Sequence, residues 1–355
     1  MSNNADSSAT KRGCGLGCFV TGFAILGFVV FLIFAGMIGL GLLAYEDPSM
    51  RKMIAHHKGV TTEGDYGEDE FPNLQETWSY GTGTTKVVRI PIEGMIMLAE
   101  GNTAWQATST ALSLRSIRRA TLDPDVKGII LEINSGGGGI TDSDILFHAL
   151  KKFKEEDESR IIVAIMGDVA ASGAYYIAVA ADYILAHPTS LTGSIGVIMQ
   201  SYNIKQLAQK IGIQDVTIKS GDNKDFLNPF QDVKPEQRQM LQNIIQAMHQ
   251  RFVYLVAENR RLARDVVAPL ADGRVFLADD AVRLKLIDGI GYSEDAREKM
   301  AELLNADEGI RIYRYDEQLT FWDLLARPGI GLSTSLRGLL RGDHAASGLH
   351  YQWTW

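Results

Sequence analysis

One hydroxyl stands on a turn of small residues. In Gly167-Asp-Val-Ala-Ala-Ser-Gly-Ala-Tyr-Tyr176, Ser172 separates two apolar runs, residues 160–166 and 174–181. The first reads as a buried parallel strand and the second as a helix with small apolar neighbours. Ser172 then sits at a helix N-terminus, where free backbone N–H groups and the positive end of the macrodipole favour an alkoxide-like or oxyanionic species. Acyl-transfer chemistry needs a nucleophile in such a place. An N-cap serine that only satisfies the helix occupies the same position, so the rest of the chain must decide between the two.

A second turn of small residues, Asn134-Ser-Gly-Gly-Gly-Gly-Ile140, follows the strand-like run 126–133 and leads into a helix on which Leu146, Ala149, Leu150 and Phe153 share a face. It lacks the Gly-Lys-Ser/Thr ending of a phosphate loop, running instead into Ile140-Thr-Asp-Ser, and it fits no dinucleotide fingerprint. Beside Ser172 it would supply backbone donors to an oxyanion. A serine nucleophile also needs a base. His56 and His57 lie in a polar stretch, His344 and His350 in the tail, and His148 and His249 at polar positions of amphipathic helices, which leaves His187 in Ala186-His-Pro-Thr. A lysine serves if burial keeps its amine neutral near pH 7, and Ile218-Lys-Ser-Gly-Asp-Asn-Lys-Asp-Phe226 offers Lys219 and Lys224. On the residues alone His187, Lys219 and Lys224 all remain open.

The elements that must position these groups alternate in kind. Lys86-Val-Val-Arg-Ile-Pro-Ile reads as a first strand, 103–120 as a helix, Leu122-Asp-Pro-Asp as a break and 126–133 as a strand. That rhythm predicts an α/β domain with parallel strands and crossover helices. Ahead of it, residues 19–44 are almost wholly apolar and exceed the ~20 residues that a membrane-spanning helix needs. A signal peptide would have a core of ~7–15 residues and a small-x-small site, and Leu42-Leu43-Ala44 is a poor one. An uncleaved anchor is expected. Residues 46–85, with the acidic run 63–70, read as a polar linker with no defensible calcium-ligand spacing. The expected organisation is a short cytoplasmic segment at 1–12, an anchor at 13–45, a linker at 46–85, a catalytic domain at 86–314 and an apolar, basic tail at 315–355.

The net charge of −8, with no basic stripe interleaved with aromatics, excludes nucleic acid as the expected partner. Both cysteines, Cys14 and Cys18, lie at the mouth of the apolar run, so the large domain has neither disulfides nor thiolate metal sites. Lys11 and Arg12 on one side of that run oppose Arg51, Lys52 and Lys58 on the other, and the positive-inside count does not orient it.

Five motifs in order, Asn134-Ser…Gly-Gly, Ala171-Ser-Gly-Ala-Tyr-Tyr-Ile-Ala, Thr192-Gly-Ser-Ile-Gly-Val, Lys219-Ser-Gly…Lys-Asp and Leu270-Ala-Asp-Gly-Arg-Val, resemble the signal peptide peptidase A family of membrane-bound Ser/Lys proteases in its short, single-copy form. The resemblance implies a Clp-protease/crotonase-like fold, Ser172 as nucleophile and Lys224 as general base. It further implies Ser194 as the group that orients the lysine and the N–H groups of Gly138 and Gly173 as oxyanion donors. No cofactor or metal is implied. The implied setting is a bacterial cytoplasmic membrane with the catalytic domain outside the cytoplasm, and the implied partners are the lipid bilayer, peptide substrates such as signal-peptide remnants, and further copies of the chain. The family loop reads Asn-Ser-Pro-Gly-Gly, and Gly136 in place of the proline predicts a looser oxyanion loop. A peptide-binding scaffold without activity and a crotonase-like acyl-CoA enzyme are the competing functions, and retention of Ser172, Lys224 and Ser194 together disfavours both. The tail reads first as a loosely ordered terminus; of the two functional readings, Arg327, Arg337 and Arg341 among aromatic residues suit a membrane surface better than an apolar groove.

Overall fold

The computed structural model describes residues 74–98 and 109–317, all within the compact unit Gly67–Trp355. In chain order the elements are β1 (Leu74–Tyr80), β2 (Thr85–Ile96), α1 (Ser109–Leu122), β3 (Val126–Gly138), α2 (Ile140–Glu155), β4 (Ile161–Ala171), α3 (Gly173–Ala178), β5 (Tyr183–Ala186), β6 (Leu191–Gly193) and α4 (Lys205–Lys210). They continue with α5 (Pro235–Arg260), α6 (Arg264–Val267), β7 (Val275–Leu277), α7 (Ala278–Arg283), β8 (Gly289–Ile290), α8 (Ser293–Leu303) and β9 (Ile310–Glu317). The strands form one sheet in the order β1-β9-β2-β3-β4-β5-β8, with β6 beside the end of β4 and β7 beside β6. Only the β1–β9 and β6–β7 pairs are antiparallel. This is the expected α/β architecture with parallel strands. The apolar run 19–44, the acidic run 63–70 and the tail beyond Glu317 lie outside the described residues. Among the described residues no helix is long and apolar enough to cross a membrane.

The sheet reaches further at both ends than the boundaries read from the sequence. β1 lies inside the stretch expected to be linker, and β9 carries the domain to Glu317. Gln75, Glu76, Thr77 and Ser79 give β1 the polarity of a linker because it is the solvated edge strand. Its antiparallel partner β9, which joins it to β2, reads Ile310-Arg-Ile-Tyr-Arg-Tyr315, with Ile310, Ile312 and Tyr315 buried.

The central strands are apolar on both faces because both are covered. Val88, Ile90 and Ile92 of β2, Ile129, Leu131 and Ile133 of β3, and Ile162, Ala164 and Met166 of β4 pack under α1, α2, α3 and α5. Val87, Ile130, Val163 and Ile165 face the other way, against Ala296 and Met300 of α8. At the N-terminal end of β4 the buried guanidinium of Arg160 donates to the carbonyls of Thr121 (3.1 Å), Asp123 (2.9 Å) and Phe153 (3.2 Å) and lies 4.6 Å from the Phe153 ring centroid. One cation thereby caps the C-terminal ends of α1 and α2, where orphaned carbonyls and the negative ends of the dipoles converge.

Halfway along, β4 changes partner. Residues Val163–Met166 pair with β5, whereas Val169–Ala171 pair with β6. The gap would leave backbone groups unpaired in a buried place. Ser190 fills one side, its hydroxyl lying 2.5 Å from the Gly167 carbonyl and 3.1 Å from that of Met166, and the Asn134 side chain accepts the Val169 N–H at 3.2 Å on the other. The second half of β4 thus ends at Ser172 in fixed register with β6.

Arg160→Leu should lower stability by about 3 kcal/mol, since three buried carbonyls lose their donors together, and Arg160→Lys should recover only part because a point ammonium cannot span three acceptors. Urea unfolding followed by far-UV circular dichroism measures both. Full recovery by lysine would mean that charge rather than the fork of donors holds the two helix ends.

Candidate active site

Ser172 has φ 54° and ψ −122°, a conformation that costs an ordinary residue on the order of 1–3 kcal/mol. It is held there from both sides. Its N–H donates to the Gly193 carbonyl at 2.8 Å and its carbonyl accepts the Tyr176 N–H at 2.9 Å. Ser194 follows the last residue of β6 as Ser172 follows the last of β4, and Ala171 is in register with Gly193, so the two serines emerge side by side. Ser194 is also strained, at φ 50°, and its N–H bonds the Arg274 carbonyl at 2.8 Å. Six non-glycine residues among those described have positive φ. Arg261, Lys285 and Asn305 follow helix ends, where the left-handed turn is common. The other three are Ser172, Ser194 and Leu227, three residues beyond Lys224. Both serines are half-buried, and among the described residues neither hydroxyl has a hydrogen-bond partner.

The glycine loop packs directly on this turn. It is the end of β3 itself, with Met95 opposite Gly137 and Ile96 opposite Gly138. A Cβ on Gly137, at φ +99°, would lie 2.7 Å from the Gly173 nitrogen and 3.0 Å from the Ser172 Cβ. A Cβ on Gly173 would lie 3.3 Å from the Gly138 nitrogen and 2.3 Å from the Ser143 hydroxyl. The loop backbone and the serine turn therefore touch without intervening side chains, and the Gly138 and Gly173 nitrogens share one corner. The looseness expected from Gly136 is offset locally, because the buried Ser135 hydroxyl accepts the Gly137 N–H at 3.0 Å and the Gly139 N–H donates to the Ile96 carbonyl at 2.8 Å.

A charged strut ties this corner to α5. The Tyr176 hydroxyl donates to Asp144 Oδ1 at 2.5 Å, and Arg251 Nη2 donates to the same oxygen at 2.7 Å. Burial works to raise the Asp144 carboxyl, but hydrogen bonds from Tyr176 and Arg251 outweigh it and hold the group below the usual range. Burial first, then the Asp144 carboxylate, pushes the Tyr176 phenol well up. Phe147 and Phe252 pack on the Tyr176 ring at centroid distances of 5.5 and 5.0 Å. Nothing local in the sequence marks Asp144 and Arg251 as partners, being 107 positions apart.

Among the described residues none of the candidate bases hydrogen-bonds to either serine hydroxyl. His187 stacks on Tyr292 at 5.3 Å between centroids, and His249 bonds the Ala271 carbonyl at 2.7 Å. Lys219 is ion-paired with Asp225 at 2.7 Å. Lys224 is exposed on the turn between them, and its ammonium makes no hydrogen bond or ion pair with any of the described residues. The structure therefore brings Ser172, Ser194, Gly138 and Gly173 together and leaves Lys224 on a surface segment. Among the described residues no group of three or more His, Cys, Asp or Glu could hold a metal ion.

A strained serine beside paired backbone nitrogens is the arrangement of an acyl-transfer enzyme. The profile of Peptidase family S49 matches residues 154–307, a stretch that includes Ser172, Ser194, Lys219 and Lys224 and begins after the glycine loop. A protein of Enterococcus faecium assigned as signal peptide peptidase SppA is 35% identical over 237 residues, covering 66% of this chain and 68% of that one. Protease 4 of Salmonella typhi is 32% identical over 259 residues, 72% of this chain and 40% of its own. The chloroplastic serine protease SPPA of Arabidopsis thaliana is 32% identical over 219 residues, 60% of this chain and 32% of its own. The chain thus spans less than half the length of these last two relatives. It belongs to peptidase family S49 and is a serine-type protease.

Two neighbouring glycines should respond oppositely to alanine. Gly136 lacks a positive φ and a Cβ there meets nothing within 4 Å, so Gly136→Ala should fold, retain peptide cleavage and gain ~0.4–1 kcal/mol. Gly137→Ala would force the serine turn aside and should lower kcat/KM by about a hundredfold or more. Equal behaviour of the two variants in cleavage assays and thermal unfolding would contradict the packing described.

Proposed function

We propose that this protein is a membrane-anchored endopeptidase with a Clp-protease/crotonase-type fold that cleaves peptides, signal-peptide remnants among them, through an acyl-enzyme on Ser172. Lys224 is the general base, Ser194 orients its amine, and the N–H groups of Gly138 and Gly173 form the oxyanion hole. The observation that carries the reading is the pair of serines at positive φ on adjoining strand ends, packed against the glycine backbone. In the first half-reaction the Ser172 oxygen attacks the scissile carbonyl while the neutral Lys224 amine takes its proton. The oxyanion forms against the two N–H groups, and collapse releases the amine product, which carries away the proton from the lysine. Water activated by the same amine then hydrolyses the ester. No metal or organic cofactor enters these steps.

Residues 198–226 support a homo-oligomer. Ile198, Val216 and Ile218 are 85%, 83% and 96% exposed, and Met240, Ile244, Ile245 and Met248 on α5, apolar positions that suit either a core or a subunit interface, are exposed or only partly buried. Apolar surface on this scale calls for a partner, and further copies of the chain are the partner we propose. The anchor at 13–45, the linker leading to β1, and an extracytoplasmic catalytic domain on a bacterial cytoplasmic membrane complete the proposal. The apolar run 19–44 supports it.

A serine-reactive fluorophosphonate probe should label the wild-type protein and not Ser172→Ala, whose kcat/KM should fall by about a thousandfold or more. Lys224→Ala should lose as much with its circular dichroism unchanged. Labelling of Ser172→Ala at the wild-type rate would move the nucleophile elsewhere. For topology, a reporter fused after Trp355 should register outside the cytoplasm, and a cytoplasmic signal would refute the orientation.

A further inference from the structure

The two proposed oxyanion donors stand at the starts of two helices. Gly138 lies one residue before Gly139, the N-cap of α2, and Gly173 is the first residue of α3. Their separation is therefore set by how α2 and α3 are held together. Among the described residues no peptide bond is cis, so the Gly173 N–H points opposite to the Ser172 carbonyl, and the Tyr176 N–H holds that carbonyl at 2.9 Å. The other donor is tied to α2 through the next residue, for the Gly139 carbonyl accepts the Ser143 N–H at 3.0 Å and the Ser143 hydroxyl at 2.8 Å. Two consecutive residues of α2 then meet α3. The Ser143 hydroxyl lies against Gly173, so closely that a Cβ there would stand 2.3 Å from it, and Asp144 Oδ1 accepts the Tyr176 hydroxyl at 2.5 Å. Arg251 steadies the same carboxylate oxygen at 2.7 Å, and Phe147 and Phe252 pack on the Tyr176 ring. With six residues α3 has little rigidity of its own, and the strained Ser172 at its head favours any tilt that relaxes it.

We propose that Asp144 and Tyr176 are positioning residues, whose hydrogen bond braces α3 against α2 and so sets the gap between the Gly138 and Gly173 N–H groups. The inference rests on Ser172 and its oxyanion hole as proposed above. A donor must stand roughly 2.7–3.1 Å from the developing oxyanion, and catalytic groups must be held to within about 0.5 Å of their productive geometry. A small tilt of α3 is then felt in the transition state and hardly at all by bound substrate. Neither side chain needs to touch the peptide.

The test is the split between kcat and KM of the full chain on a quenched-fluorescence apolar peptide. A peptide aldehyde serves as second probe, because its tetrahedral adduct with Ser172 places an oxygen in the hole. Tyr176→Phe keeps the ring between Phe147 and Phe252 and should lower kcat about tenfold with KM within about twofold, and weaken aldehyde inhibition by a similar factor. Asp144→Ala should do the same. The two together should lose little more than either alone, because one bond serves both. Asp144→Asn retains an acceptor for the Tyr176 hydroxyl and should recover most of kcat. Residues that serve stability alone predict something else, lower unfolding temperatures with wild-type kcat and aldehyde affinity in the folded protein. That outcome, additive losses in the double variant, or equal losses in Asp144→Asn and Asp144→Ala would overturn the proposal. Should Tyr176→Phe fail to fold, Asp144→Ala and its recovery by asparagine decide, since the Asp144 side chain is 38% exposed and can be shortened without opening the core. Unimpaired cleavage by Ser172→Ala refutes the nucleophile itself, whereas an inactive Ser172→Ala beside a wild-type kcat in Tyr176→Phe refutes only the brace.

Discussion

Much of the site depends on the hydrogen bond from the Ser172 N–H to the Gly193 carbonyl. It extends the β4–β6 ladder by one step past the end of both strands and holds the serine in a conformation that an isolated chain would leave. The bond exists only because β4 exchanges one neighbour for another in mid-strand, with Ser190 and Asn134 satisfying the backbone groups at the exchange. Strain at Ser172 is thus sustained by the register of buried strands, and that register by hydrophobic packing on both faces of the sheet. Gly137 and Gly173 complete the constraint by letting two backbones touch.

What could be read from the sequence follows from how local each signal is. Alternation of apolar runs with amphipathic stretches announced the parallel sheet, because strands covered on both faces are continuous in hydrophobicity. The Ser172 turn and the glycine loop were legible as well, since only small residues permit such contacts. β1 and β9 were not recognised, because β1 is a solvated edge strand and β9 mixes its buried Ile310, Ile312 and Tyr315 with charged residues where a central strand carries valine. The Arg251–Asp144–Tyr176 strut and the capping by Arg160 were equally invisible. Each is made by residues far apart in sequence whose types, taken singly, are ordinary surface chemistry. The ends of α5 differ for a related reason. Its apolar stripe is continuous in sequence, but the main core is met only from Phe252 onward, Leu241 being the one buried apolar residue of the N-terminal half.

α5 joins two regions of contrasting character. Near its C-terminal end it packs Phe252 on Tyr176 and sends Arg251 to Asp144, so it is fixed to the helix that follows the serine. At its start Gln237 donates to the Asp222 carbonyl, two residues before Lys224. At 1.5 Å per residue the helix spans roughly 20 Å between these attachments. A rigid element of this kind can transmit the position of one end to the other.

Unequal packing of the two regions has a kinetic meaning. Amides in β2, β3 and β4 lie in the most buried part of the sheet and exchange with solvent only through the rarest openings, whereas the backbone of residues 198–226 is covered by few apolar contacts and opens readily. In the proposed dyad the nucleophile belongs to the slow region and the base to the fast one. On that proposal, turnover would scale with the fraction of time the surface segment presents its lysine to the serine. Whatever orders that segment acts as a throttle on peptide cleavage while leaving the nucleophile itself untouched.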